Sequence, residues 1–276
     1  MPLADAAEII LPASRAGRGV GAFNVILVEQ AEALVQAADR EGLPVILQIS
    51  QRCVTYHGAL RPIVTAALEV ARAATAPVCV QLDHAESRGL VADALDAGVR
   101  AVMFDGSALD YEANVAQTSE VASMCAARGA WLEAELGVVG GKGDAHAPGA
   151  RTDPAQAAAY VAATGVNALA VAVGTRHRML TRDARLDLGL ISDLKAAVAQ
   201  PLVLHGSSGV ADDELKRAVK AGITKVNIAT RLNAVFTVAV CGHLARDPAC
   251  VDPREYLAAG RQAVAAEAGE LLRLLA

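Results

Sequence analysis

From Pro77 to Ser87 the chain reads PVCVQLDHAES, an apolar run that turns ionic within one residue. Val78, Cys79, Val80 and Leu82 have the near-continuous apolar character of a strand covered on both faces, as in parallel sheets. Asp83 and His84 follow at once. Similar runs recur along the chain: GVGAFNV (19–25), PVILQIS (44–50), PVCVQLD (77–83), AVMFDGS (101–107), WLEAELG (131–137), ALAVAVG (168–174), PLVLHGS (201–207) and ITKVNIA (223–229), eight in all. Between them lie Ala-rich amphipathic stretches that predict helices, such as EQAEALVQAADREG, stopping at Gly42, and VADALDAG, stopping at Gly98. A glycine just past the last turn is the expected helix stop. Pro44, Pro77 and Pro201 open strands, where a missing N–H costs least.

Eight strands, each followed by a helical segment, are the count of an α/β TIM (β/α)8 barrel. The alternative is a doubly wound open sheet. Its dinucleotide-binding form needs G-x-G-x-x-G after a strand, whereas GRGVGA (17–22) precedes one. No linker or composition break divides the chain. A single domain over residues 1–276 is expected, with an added helical segment after Asp252.

Composition limits the partners. The hydrophobic fraction is 54% and the aromatic fraction only 3%, so Ala, Val and Leu do the packing. A net charge of −5 with no basic block, and so few aromatics, argue against nucleic-acid and anionic-membrane partners. Cys53, Cys79, Cys125, Cys241 and Cys250 are an odd set with no C-x-x-C pair and read as reduced thiols. No signal peptide is visible and the apolar runs are too short to span a bilayer, so a soluble cytoplasmic protein is expected.

Barrel chemistry sits at the C-terminal ends of the strands. Those ends carry Asn24, Ser50, Asp83 with His84, Asp105, Glu135, His177, His205 and Asn227. Ser50 or Asp105 alone would read as a helix cap; a polar group at every strand end would not. Of six histidines, His84, His177 and His205 fall at or just past strand ends. Three imidazoles with an open fourth position are the donor set of a catalytic zinc. His57 and His243 read as surface residues, and His146 is open. After the seventh and eighth strands, HGSSG (205–209) and KVNIATR (225–231) suit a phosphate cradle, with a helix N-terminus near Ala211.

With these motifs in order (AFN at 22–24, QLDHAES at 81–87, VMFDGS at 102–107, EAELG at 133–137, AVAVGTRH at 170–177, PLVLHGSSG at 201–209 and KVNIAT at 225–230), the chain resembles the class II, zinc-dependent ketose-bisphosphate aldolases. The resemblance runs through DPREY (252–256) and is closer to the tagatose-type branch, because Ala229 stands where the fructose branch has an acid. It implies reversible cleavage of fructose or tagatose 1,6-bisphosphate to dihydroxyacetone phosphate and an aldehyde. By position, His84, His177 and His205 would hold Zn²⁺, or another divalent metal, which stabilises the enediolate. Asp83 would move the C4-hydroxyl proton. Glu135 and Asp105 would support the ligands or alternate with them. Gly206, Ser208, Asn227, Ala229 and Thr230 would bind the dihydroxyacetone phosphate end, with Asn24 and Ser50 nearby and a monovalent cation (Na⁺ or K⁺) beside the phosphate. Arg254 would reach the far phosphate across a homodimer or homotetramer.

Two positions depart from the pattern. The family's loop glutamate is replaced by Gly143 in GGKGDAHAPGARTDP (140–154); Asp144 or His146 could substitute, and neither follows from the pattern. Arg178 stands where a glycine is usual, and it could contact the phosphate through its backbone or an anion through its side chain. Lys142, Arg178 and Arg182 either mark an altered substrate preference or are surface charges. A zinc-dependent barrel hydrolase, and a relative with altered aldehyde specificity or no activity, are the competing readings.

Overall fold

The computed structural model describes residues 3–136, 151–175, 179 and 181–276. Gly143, Asp144, His146, His177 and Arg178 lie outside the described residues. Eight parallel strands form the barrel: β1 (Val20–Asn24), β2 (Val45–Ser50), β3 (Val78–Ala85), β4 (Ala101–Phe104), β5 (Trp131–Glu135), β6 (Ala168–Ala170), β7 (Leu202–Leu204) and β8 (Ile223–Ile228). Each pairs with the next, and β8 pairs with β1 to close the sheet. This is the TIM barrel expected from the eight apolar runs.

Strand alternation splits the core in two. Phe23, Leu47, Val80, Leu132 and Leu202 pack outward with the helices. Ala22, Ile46, Cys79, Ala101 and Val203 point inward and form a second cluster with Ile9 and Ile10. Those two isoleucines belong to a helix the apolar runs did not announce, Ala6–Ala16, which plugs the N-terminal end of the barrel. Its first turn is fixed by Asp5, whose N–H donates to Glu8 Oε2 at 2.9 Å. The helix Pro253–Leu275, capped by Asp252, is the expected C-terminal addition. It packs on helices Val28–Glu41 and Thr230–Arg246. Its last turn returns to the barrel, where Gly19 N–H donates to the Leu275 carbonyl at 2.8 Å.

One irregularity positions the candidate site. Between Leu82 and Ala85, β3 carries three steps where β4 takes two, from Val102 to Phe104. The extra residue makes a bulge. At this point His84 has φ 49°, the one non-glycine residue with positive φ among the described residues. In a regular strand Asp83 and His84 would face opposite sides of the sheet. The bulge brings both side chains to the same rim.

Candidate active site

A cavity of about 600 Å³ opens at the C-terminal end of the barrel. It is lined by Asn24, Ser50, Asp83, His84, Gly206, Ser208, Asn227, Ala229 and Thr230, all chosen from the sequence. Arg52, Cys53, Tyr56 and Asn233 also line it and were not foreseen. Arg52 and Tyr56 sit on the short helix Gln51–His57, whose N-cap is Ser50; its hydroxyl accepts from Cys53 N–H at 3.2 Å. Ser50 is therefore both a cap and a wall of the cavity.

His84 and His205 face each other with ring centroids 4.7 Å apart. One donor atom from each of His84, Glu135 and His205 lies within 4.8 Å of the others. Carboxylates hold both rings by their second nitrogen. His84 Nδ1 bonds Asp105 Oδ2 at 2.6 Å, and Asp105 Oδ1 in turn accepts from the Ser107 hydroxyl at 2.6 Å. His205 Nε2 donates to Glu133 Oε1 at 3.0 Å, leaving Nδ1 3.3 Å from Glu135 Oε2. Imidazoles anchored by carboxylates are the usual setting of histidine metal ligands. The electrostatics agree. Burial opposes a charge on His205, but Glu135 and Glu133 outweigh it and push the imidazole up to about 10. On His84, too, burial is outweighed, by Asp83 and the Asp105 hydrogen bond, and its value is raised. A centre that holds positive charge this strongly suits a metal ion, which takes the place of the proton. The residues present fit such an ion.

Below the rim lies a buried polar layer that the sequence reading missed. Asp83 accepts from Asn24 Nδ2 and Gln48 Nε2, both at 3.0 Å. Gln48 Nε2 also donates to Gln81 Oε1 at 3.1 Å, and Gln81 Nε2 donates to Glu133 Oε2 at 3.1 Å. Lys225 Nζ donates to Glu133 Oε2 at 2.7 Å and to Asn227 Oδ1 at 2.9 Å. Burial disfavours the Glu133 carboxylate, but Lys225 and His205 more than offset it and pull Glu133 down to about 2. One chain of directed hydrogen bonds thus links the acid, the candidate ligand His205 and Asn227. A signal for it existed: Gln48, Gln81, Glu133 and Lys225 each stand two residues before a rim residue, on the same inward face.

The cradle is also built from backbone. Gly206 adopts φ 66°, and Ser208 Oγ accepts from Ala229 N–H at 3.3 Å and Arg231 N–H at 3.2 Å. This ties the turn after β7 to the helix starting at Thr230. Arg231 braces that start, donating to Asp212 at 2.7 Å and pairing with Glu267. Arg182 pairs with the same Asp212 and points its Nε at the Val210 carbonyl, so it is engaged in the structure rather than lining the cavity. Under β5, the buried Asn114 donates to the Glu135 carbonyl at 3.1 Å and accepts from Tyr160 at 2.8 Å. A Cβ on Gly106 would come within 2.4 Å of Asn114 Oδ1, so only glycine fits there.

Arg254 does not line the cavity of its own chain. It is 88% exposed and pairs with Asp252 at 2.6 Å. His57 is exposed as expected, whereas His243 is half-buried with its Nε2 enclosed, a correction to its reading as a surface residue. No helix among the described residues is long and apolar enough to cross a membrane.

The fold and this mouth define the class: a (β/α)8 barrel with a cation-ready centre beside a backbone-built cradle. Comparison narrows it further. Residues 4–276 match the family model for class II fructose-bisphosphate aldolase. A fructose-bisphosphate aldolase of Geobacillus stearothermophilus is 36% identical over 270 residues, covering 96% of this chain and 94% of that one. The crystal structure of the YdjI aldolase from Escherichia coli K12 superposes with a TM-score of 0.88 at 31% identity, covering 99% of this chain and 97% of that one. The chain belongs to the class II fructose-bisphosphate aldolase family and is an aldolase, a carbon–carbon lyase. The hydrolase reading is thereby displaced.

Proposed function

We propose that this aldolase is zinc-dependent and reversibly cleaves a ketose bisphosphate of the fructose or tagatose type to dihydroxyacetone phosphate and an aldehyde. The observation that carries the reading is the convergence, in one cavity, of the His84–Glu135–His205 donors, the doubly anchored Asp83 and the Ser208–Asn227–Thr230 cradle. His84, His205 and, from the resemblance, His177 would hold the metal, with Glu135 as a further donor. When bound, it supplies Lewis-acid stabilisation of negative charge developing on the substrate carbonyl oxygen.

The protein residues divide the remaining work. Asn24 and Gln48 fix the Asp83 carboxylate as an acceptor aimed into the cavity, and Asp83 takes the C4-hydroxyl proton in cleavage and returns it in condensation. Glu133, held by Lys225, sets which nitrogen of His205 faces the centre. Asn227, on the same lysine, places the phosphate-bearing end in register with that centre. The helix start at Thr230 and the Gly206–Ser208 turn receive the phosphate, with a monovalent cation beside it. Asp144 is the nearest acid in sequence to the missing loop glutamate and is assigned the second proton transfer. Arg178 contributes an anion contact. Arg254, exposed and outside the lining of its own cavity, acts on a neighbouring copy in a cytoplasmic homo-oligomer.

A coupled assay for dihydroxyacetone phosphate release from fructose and tagatose bisphosphates, with and without chelator, tests the reading. Release that chelator abolishes and zinc restores is expected. No release from either substrate, or release indifferent to chelator, would overturn it.

A further inference from the structure

Far along the chain from the barrel mouth, three side chains of metal-binding chemistry meet at an elbow between two helices. His243 lies in the last turn of helix Thr230–Arg246, Cys250 in the connection after it, and Glu255 in the first turn of helix Pro253–Leu275. One donor atom from each lies within 4.8 Å of the other two. Independently, His243 Nε2 is enclosed and has no hydrogen-bond partner among the described residues. A buried polar atom is rarely left so unless a ligand satisfies it.

The elbow is preformed. Cys250 N–H donates to the Asp247 carbonyl and Ala249 N–H to Asp247 Oδ1, both at 3.2 Å. Asp252 caps the second helix, accepting from Arg254 N–H at 3.0 Å. Imidazole, thiolate and carboxylate together suit a borderline-soft divalent ion such as zinc rather than magnesium or calcium, which take oxygen donors.

We propose that His243, Cys250 and Glu255 form a second metal site, for a zinc-class divalent ion, that staples the two helices at their elbow. Cys250 loses its proton to solvent on binding, and the fourth position is left to water or another donor. Nothing in this site depends on the aldolase reaction.

Cobalt separates this site from the barrel mouth, where the donors are imidazole and carboxylate. The full chain, stripped with chelator and titrated with Co²⁺, should show thiolate-to-cobalt charge-transfer absorption. It should also retain one equivalent of cobalt more than Cys250→Ser, which should lack the band. Cys241→Ser, removing the exposed thiol on the helix that carries His243, should keep both. Glu255→Gln, which leaves the fold and the thiol in place, should weaken cobalt binding at this site about tenfold or more. Absence of the band in the wild-type chain would overturn the proposal. So would a band that survives Cys250→Ser, a band lost only in Cys241→Ser, or unchanged affinity in Glu255→Gln.

Discussion

The two halves of the barrel interior are made by the same eight strands and yet are opposite in chemistry. In the lower half, Ala22, Ile46, Cys79, Ala101 and Val203 close around Ile9 and Ile10 of the N-terminal helix. One inward step higher come Gln48, Gln81, Glu133 and Lys225, and above them Asp83, Glu135, His205 and Asn227. The lower half is held by shape and apolar burial, which is non-directional. The upper half is held by directed hydrogen bonds and by buried ion pairs, Lys225 and His205 on Glu133 among them, whose geometry decides where each functional atom points. A barrel can therefore place stability at one end and chemistry at the other without changing its backbone plan.

The sharpest way to break the contrast is at Asp83. Asp83→Ala should retain the metal, measured by elemental analysis, and lose about 10²–10⁴-fold in turnover, as expected when a positioned proton carrier is removed. Next comes the ion pair. Lys225→Met should cost about 3–5 kcal/mol in chemical denaturation, because the buried, charged Glu133 loses the lysine that does most to offset its burial. Adding Glu133→Leu should recover much of that stability but lower activity, since His205 would then lose its anchor. In the lower half the pattern should invert. Ile10→Ala should cost about 2–5 kcal/mol through the cavity it leaves, with kcat and KM unchanged.

The smallest effect at any one pH is titration of the upper half. Glu133 falls from its ordinary value of 4.5 to about 2 in the folded chain. A depressed carboxylate contributes stability that is full above its unfolded value and is lost as pH falls through its folded one. Denaturation midpoints should therefore decline between about pH 4.5 and 2, and this segment should flatten in the Glu133→Leu, Lys225→Met double variant. An unchanged acid limb would show that Glu133 does not carry it.

The outer layer of this design was legible in the sequence because its signals are local. Runs such as PVCVQLD mark strands, their polar ends mark the rim, and Gly42 and Asp252 mark helix boundaries. The inner layer was not, because a polar residue inside an apolar run declares its partner only once the sheet closes. Gln81 and Glu133 are 52 positions apart, and Lys225 and Glu133 are 92. The plug formed by Ala6–Ala16 was missed for a similar reason: a short helix carrying Pro12 gains its place from the barrel it fills. The elbow cluster of His243, Cys250 and Glu255 is spread over two helices and their connection and depends on those helices meeting.

The bulge at His84 has a consequence for anyone who would transplant this chemistry. A straight strand offers its rim an acid or an imidazole from neighbouring positions, never both. The Asp–His dipeptide of β3 is thus not a portable motif of two letters. Moved to another barrel, it would have to travel with its extra residue, its left-handed backbone at His84 and the β4 register that absorbs them. Without these, a grafted copy would carry the same letters and point one of its two groups into the wrong solvent.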